Sequence, residues 1–270
     1  MIISPRLKAV LRILTMLVVV VVYVPLLLVM VNSFNVDRTF GWPPRGLTFH
    51  WWNVAFHSSG ARHALLVSLE VASLATVISL VLGTCGALAL RRTRFFGRNT
   101  VSLLIILPIA LPGIVTGIAL NNAFRTMLGV QLGFLTVVVA HATFCIVTVF
   151  NNVQARVQRL GTSLEQASAD LGAGPFRTFA LVTFPMLRSA LLAGGLLSFG
   201  LSFDEIVVTT FTAGPQTQTL PIWIFQNLFR PNQAPVVNVV AAVLVLVSAV
   251  PIYLAQRLSG DTVAPSAATP

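Results

Sequence analysis

The sequence has very little charge. Charged residues make up 9% of its 270 residues, whereas an ordinary soluble domain has roughly 25%. Hydrophobic residues make up 56%, and the mean hydropathy is +0.88. This composition excludes an ordinary soluble globular domain and leaves enough apolar sequence for several membrane spans of about 20 residues each.

The residues that usually carry chemistry are also scarce. The two cysteines, Cys85 and Cys145, lie inside apolar segments and are interpreted as small hydrophobic residues within helices. The sequence contains no CxxC, no HExxH and no GxxxxGK[ST] motif, so the chain is not itself an ATPase. The four histidines are scattered, and no chemistry is assigned to them: His50, His57, His63 and His141. We therefore expect no catalytic residue, no metal site and no cofactor bound by this chain.

Six apolar segments are long enough to cross a bilayer, and they predict an all-α, polytopic membrane protein. They cover Ile13–Val31, Ala64–Leu90, Val101–Phe124, Leu132–Asn152, Arg188–Thr212 and Val236–Leu258. The predicted organisation is a short N-terminus (1–12), a six-span membrane domain (13–258) with a long inner loop (154–187), and a disordered tail (259–270).

The first apolar segment could also be interpreted as a signal peptide, because the basic residues Arg6, Lys8 and Arg12 precede it. Its uncharged run is longer than a usual signal-peptide core, however, and no A-x-A cleavage site follows. An uncleaved membrane anchor is therefore predicted.

The formal net charge of +10 reflects membrane orientation and lipid contact, and no nucleic-acid partner is expected. The positive-inside rule places both termini in the cytoplasm. The segments then assigned to the inner side hold Arg6, Lys8, Arg12, Arg91, Arg92, Arg94, Arg98, Arg156, Arg159, Arg177, Arg188 and Arg257, and the outer loops hold Arg38, Arg45, Arg62, Arg125 and Arg230. The cluster at Arg91–Arg98 is typical of an anchor that touches anionic lipid.

The third segment contains prolines and glycines that predict a kinked helix in the bundle interior. Pro108 and Pro112 free backbone groups that neighbouring helices must satisfy. The Gly113-x-x-x-Gly117 spacing is one that allows close helix packing.

The inner loop between the fourth and fifth spans predicts two short helices. Thr162 and Glu165 fit a capping box, and Leu164, Ala167, Ser168 and Leu171 then recur on one small-to-apolar face, with Gln166 and Asp170 pointing elsewhere. Gly172 and Gly174 predict the stop, Pro175 the start of a second helix, and Pro185 its end. The pattern alone is compatible with insertion into a partner's groove or with a surface helix on the inner leaflet.

This loop resembles the EAA motif of binding-protein-dependent ABC importer permeases, E-A-A-x3-G-x9-I-x-L-P. The chain reads Gln166-Ala167-Ser168, then Gly172, then Val182-Thr183-Phe184-Pro185, and both long spacings match. The departure is Gln166, which stands where the family has glutamate, while Glu165 lies one residue earlier.

The resemblance implies the type I importer permease fold, also called MetI-like. It implies that Glu165, Gln166, Ala167, Ser168, Asp170, Gly172 and Pro185 belong to a coupling loop that contacts a cytoplasmic ATPase. It also implies a second homologous permease subunit, two ATPase copies that hold ATP and Mg²⁺, an extracytoplasmic solute-binding protein and a location in the bacterial inner membrane.

Further segments are similar to the spermidine/putrescine-type permeases. They are Tyr23-Val24-Pro25, Asn32-Ser33-Phe34-Asn35, Ser202-Phe203-Asp204-Glu205 and Thr219–Phe225. Related permeases for thiamine, opines and aminophosphonates carry similar segments, so the solute class stays open between polyamines and these.

Three of the seven acidic residues fall in predicted spans: Glu70, Asp204 and Glu205. A charge at the bilayer centre costs about 3 kcal/mol, so such residues face a partner or a water-filled path. Counted along continuous helices, Glu70 lies ~9 Å and Asp204 ~12 Å below the outer surface. We expect these carboxylates to line a path for a cationic solute. The alternatives are pairing with Arg62, Arg125 or a second subunit, or a role at a helix end.

Two other function classes remain open from the residues alone. An integral-membrane enzyme would need a nucleophile and base, which the motifs do not supply. An ion-gradient-driven carrier or a channel could use Asp204 and Glu205 as its cation site, although no inverted repeat is recognisable in the sequence.

Overall fold

The structure is a computed structural model that describes residues 4–39, 41–92, 96–230 and 232–260. Twelve α-helices are found in this described part: α1 (Pro5–Asn32), α2 (His50–His57), α3 (Ser59–Arg92), α4 (Arg98–Ala110), α5 (Gly113–Asn122), α6 (Phe134–Arg159), α7 (Ser163–Asp170), α8 (Pro175–Thr178), α9 (Phe184–Phe203), α10 (Val207–Thr212), α11 (Leu220–Leu228) and α12 (Ala234–Gly260). Two π-helical turns, Ala123–Met127 and Phe179–Thr183, follow α5 and α8. From residue 261 on, the predicted disordered tail lies outside the described residues, as does Arg94.

Five of the predicted spans form helices long and apolar enough to cross a bilayer, within the described residues. They are Arg6–Asn32, Ser59–Arg91, Phe134–Arg159, Pro175–Phe203 and Ala234–Leu254. A sixth span is obtained only if the helix pair around residues 100–127 is counted as one broken crossing. The all-α prediction is therefore confirmed, and the six predicted spans are reached if this broken pair is counted as one crossing.

The third predicted span is broken rather than kinked. Its two halves, Thr100–Ala110 and Gly113–Met127, differ in direction by 106°. Pro108 is accommodated inside α4, and the break comes at Leu111, which is extended (φ −81°, ψ 143°). A residue before proline is pushed out of the helical region, so Pro112 explains why the helix stops there.

Two corrections concern the fifth span. The expected helix Arg188–Thr212 ends at Phe203, and α10 starts only at Val207. Pro185 does not end a separate loop helix, because helical structure continues from Pro175 to Phe203. The π-helical turn Phe179–Thr183 widens the helix just before Pro185, whose missing N–H would interrupt a regular α-helix at this point.

The chain divides into two compact units, one within residues 1–62 and 223–245 and the other within 63–222 and 246–270. In the first unit, the loop after α1, which is predicted to lie on the outer side, is held by its own contacts. Asn32 Oδ1 accepts from Asn35 Nδ2 and from the Gly41 backbone N–H, both at 3.3 Å. The Phe34 ring stacks on Trp52 with centroids 5.1 Å apart.

The core of the second unit lies where α6 packs against α3 and α9. Ser198 Oγ donates to the Cys145 carbonyl at 3.2 Å, and Ser79 Oγ donates to the Ala142 carbonyl at 3.4 Å. Small residues allow the close approach, since a Cβ on Gly83 would lie 2.9 Å from the Ile146 carbonyl oxygen. Cys145 is buried as predicted, whereas Cys85 is exposed.

The glycine pair in α5 packs against α10. A Cβ on Gly113 would lie 3.3 Å from Val207, and one on Gly117 would lie 2.7 Å from the Phe211 ring. The predicted close-packing face is confirmed, and it fixes the short helix that follows the break in the fifth span.

Candidate functional site

The inner loop forms the predicted short helix α7, but without the predicted capping box. Thr162 precedes the helix and its side chain makes no capping hydrogen bond. Glu165 Oε1 instead accepts from Thr183 Oγ1 at 2.8 Å and lies 3.5 Å from an Arg91 guanidinium nitrogen. A carboxylate gains more from a cation and a hydroxyl in a half-buried place than from an exposed backbone N–H.

Glu165 and Ser168 form the inward side of α7. Ser168 Oγ lies 3.0 Å from Thr178 Oγ1, and Thr178 and Thr183 are buried. The predicted single face of Leu164, Ala167, Ser168 and Leu171 is therefore wrong for Ser168. The outward side of the helix carries the exposed residues Leu164, Gln166, Ala167 and Asp170.

Gly172 ends α7 as predicted. Its φ of +79° lies in the left-handed region that favours glycine. Its N–H donates to the Ala169 carbonyl at 2.8 Å, and the Ala173 N–H donates to the Ser168 carbonyl at 3.1 Å. The tight turn leaves two large apolar side chains at the tip of the loop, Leu171 and Phe176, 89% and 87% exposed.

Arg91, at the end of α3, fastens this loop to the rest of the unit. Besides Glu165, its guanidinium donates to the carbonyls of Leu160 and Gly161 at 2.9 and 3.3 Å. The side chains of Arg91 and Glu165 are only 16% and 19% exposed. The ion pair therefore acts in a partly desolvated place, where it is stronger than a surface pair.

Asp204 and Glu205 lie in the break between α9 and α10, so depths counted along one continuous helix do not apply to them. Asp204 is exposed and follows the last residue of α9. Glu205 is half-buried, and its Oε1 accepts from the Val208 backbone N–H at 2.8 Å. Glu205 thus stabilises the start of α10, which is the helix-end alternative raised above.

Glu70 lies on an exposed, otherwise apolar side of α3. It borders an open cleft of about 490 Å³ with Leu69, Ser73, Leu74 and Phe134. Within the described part of the chain, none of Glu70, Asp204 and Glu205 has a basic nitrogen within 4 Å. The alternative of pairing with Arg125 therefore finds no support in this part of the chain.

No polar site was expected at His141 from the sequence. This residue of α6 is fully buried between Ser202 and Thr209, one on each side of the break that holds Asp204. A signal was available, because an imidazole inside an apolar span must find polar partners. The sequence could not say that two hydroxyls more than 60 positions away would supply them.

With this geometry in view, comparison with known proteins decides the family. The sequence profile of binding-protein-dependent transport system inner membrane components matches residues 75–263. The chain belongs to this family. It is an ABC importer permease, a component of the inner membrane.

Named relatives of this permease include two transport proteins of Escherichia coli (strain K12). The spermidine/putrescine transport system permease protein PotC is 33% identical over 239 residues, which cover 88% of this chain and 89% of the relative. The putrescine transport system permease protein PotI is 32% identical over 82% of this chain and 80% of its own length.

Solved structures show the same fold for this permease. A chain of the bacterial ABC transporter involved in the import of the acidic polysaccharide alginate matches with a TM-score of 0.72 and 12% identity, over 95% of this chain and 96% of that one. A chain of the MetNI methionine ABC transporter matches with a TM-score of 0.61 and 17% identity, over 75% and 96%. The type I, MetI-like fold expected from the inner loop is thereby confirmed.

Proposed function

We propose that this permease forms the solute path of a polyamine importer. It would pair with a second, homologous permease subunit, two copies of a cytoplasmic ATPase and an extracytoplasmic solute-binding protein. The names of its relatives PotC and PotI support the solute class. Both termini and the α7 loop would lie in the cytoplasm, as the arginine distribution predicts.

The observation that carries the coupling role is the two-sided character of α7. Its inward side is bound to this chain through Glu165 and Ser168. Its outward side, with Gln166, Ala167 and Asp170, is exposed in the chain. We assign this outward side and the apolar tip, Leu171 and Phe176, to contact with the ATPase, because such large exposed apolar side chains at a loop tip fit a partner's groove.

Each remaining residue of the motif has a part in this arrangement. Gly172 makes the turn that exposes the tip. Pro185, in the first turn of α9 beside the π-helical turn, lies where the loop joins the fifth span. ATP and Mg²⁺ would be held by the ATPase, whose closure would move α7 and shift the spans between outward and inward access.

Carboxylates without a basic partner among the described residues, at Glu70 and Asp204, support a cationic solute. Polyamines carry several ammonium groups that lose hydration in a narrow path, and a fixed carboxylate offsets part of that loss. Asp204 is the strongest candidate, because it is exposed and its carboxylate has no basic partner among the described residues. Glu70 is exposed as well, whereas Glu205 is engaged at the start of α10.

Reconstitution of the purified complex tests this proposal. The four gene products are co-expressed, the complex is isolated through a tag on this chain, and polyamine uptake into liposomes is measured with and without internal ATP. We expect the ATPase to co-purify and uptake to require ATP and the binding protein. Uptake driven by an ion gradient without ATP would overturn the proposal in favour of a carrier, and ATP-dependent uptake of thiamine instead of polyamines would overturn the solute class alone.

A further inference from the structure

His141 occupies a buried polar site that the proposed function does not yet use. Its Nδ1 lies 2.7 Å from Ser202 Oγ and its Nε2 lies 2.8 Å from Thr209 Oγ1. The exposed fractions of His141, Ser202 and Thr209 are 0%, 3% and 0%. All three side chains are therefore removed from water. The imidazole is the shared hydrogen-bond partner of the two hydroxyl groups.

The proton positions in this chain of hydrogen bonds follow from one further contact. Thr209 Oγ1 donates its only proton to the Glu205 carbonyl at 2.8 Å. His141 Nε2 must then donate to Thr209 Oγ1, which leaves Nδ1 to accept from the Ser202 hydroxyl. This assignment satisfies both ring nitrogens with a neutral imidazole in a single tautomer.

The imidazole bridges the two sides of the break in the fifth span. Ser202 lies in the last turn of α9, and Thr209 lies in the first turn of α10. Asp204 stands between them, and its N–H donates to the Gly200 carbonyl at 3.3 Å. His141 is thus the α6 side chain that contacts both sides of the break 204–206, and Thr136 of α6 adds a bond to the Thr212 carbonyl of α10 at 2.8 Å.

We propose that His141 is a positioning residue for Asp204. It holds α9 and α10 at a fixed separation and direction, so that the Asp204 carboxylate stays directed at the solute path. This inference rests on the proposed role of Asp204. Its physical basis is that a group fixed in place before the solute arrives interacts more strongly than one that must be ordered on binding.

A double-mutant cycle in reconstituted complexes tests the inference. The variants are Asp204→Asn, His141→Phe and the two combined, and the readout is polyamine uptake per ATP hydrolysed at saturating binding protein. His141→Phe keeps the ring volume, but it leaves the buried Ser202 hydroxyl without its acceptor and removes the donor to Thr209 Oγ1. We expect it to lower uptake about tenfold. His63→Phe, the same change at an exposed position of α3, serves as the matched control.

The decisive comparison is the effect of His141→Phe in the wild type with its effect in the Asp204→Asn variant. If His141 acts through Asp204, its replacement lowers uptake when Asp204 is present and has no further effect in Asp204→Asn. An equal loss in both backgrounds, or no loss in the wild type, overturns the positioning role while leaving the Asp204 proposal intact. An Asp204→Asn variant with unchanged uptake overturns the Asp204 proposal itself, and the inference with it.

Milder variants give the same test if His141→Phe does not assemble. Thr209→Val and Ser202→Ala each remove one hydroxyl at nearly constant shape, and co-purification of the ATPase reports assembly. We expect each to lower uptake about threefold and to do so only in the presence of Asp204. Losses that persist in Asp204→Asn overturn the inference by this route as well.

Discussion

The carboxylate of Glu165 lies 3.5 Å from the guanidinium of Arg91, so the first turn of α7 is bound to the last turn of α3. The ion pair bears on the neighbouring Gln166, which stands where the EAA motif has glutamate. We expect that Glu165 does not take over the role of that glutamate, because its carboxylate contacts Arg91 and Thr183 of this chain. Glu165 therefore contacts this chain itself, and we expect it to transmit a movement of α7 to α3.

Replacing Arg91 with Met should therefore loosen the loop. The change removes the bonds from Arg91 to Glu165, Leu160 and Gly161, and the loss of such bonds in a partly buried place costs about 1–3 kcal/mol locally. We expect faster trypsin cleavage of the loop 160–178 and several-fold lower uptake per ATP hydrolysed. Arg98→Met, the same change at an exposed arginine, should alter neither quantity. Arg91→Lys should be intermediate, since lysine keeps the charge and loses the fork of donors.

The loop tip should be needed for ATPase binding and not for membrane insertion. Leu171→Asp places a charge on a side chain that is 89% exposed, so the fold should tolerate it within about 0.5 kcal/mol. We expect the ATPase to be lost from the purified complex while the yield of this permease in membranes is unchanged. Leu128→Asp, at a 67% exposed leucine predicted on the opposite side of the membrane, is the matched control. If the Leu171→Asp variant still co-purifies with the ATPase, the tip is not part of the ATPase contact.

The packing of α5 against α10 should be sensitive to a single methyl group. In Gly117→Ala, the new Cβ would lie 2.7 Å from the Phe211 ring, and such overpacking costs about 1–3 kcal/mol. The expected result is a lower melting temperature of the purified complex. Gly133→Ala should be neutral, because a Cβ there has no neighbour within 4 Å. Combining Gly117→Ala with Phe211→Leu should restore part of the loss, and the absence of any recovery would speak against this contact.

Replacing Glu205 should do less harm when only the charge is lost than when the side-chain oxygen that accepts a hydrogen bond is lost as well. Glu205→Gln keeps an oxygen for the Val208 N–H, whereas Glu205→Ala leaves the start of α10 uncapped at a cost of about 1 kcal/mol. We expect near-normal uptake and thermal stability for the glutamine variant and a loss of both for the alanine variant. A strong uptake defect in Glu205→Gln with unchanged stability would instead place this carboxylate in the solute path.

Local signals in the sequence predicted several parts of this arrangement. Apolar length located the spans, and Gly172 and Pro175 marked the turn of the inner loop. The Gly113/Gly117 spacing predicted a close contact, although only the structure shows that α10 is the element on the other side. The predictions failed at Glu165, Pro185 and the fifth span, where a tertiary contact or a widened helical turn outweighed the local pattern.

The sequence by itself determined that this protein is a helical membrane permease, because apolar length and motif spacing are properties of neighbouring residues. Only the tertiary structure decided which side of α7 is free, where the third and fifth spans break, and that His141 lies between Ser202 and Thr209. These features depend on partners far apart in the chain. A buried carboxylate or imidazole adopts the position in which such partners satisfy its hydrogen bonds, and no local pattern specifies them.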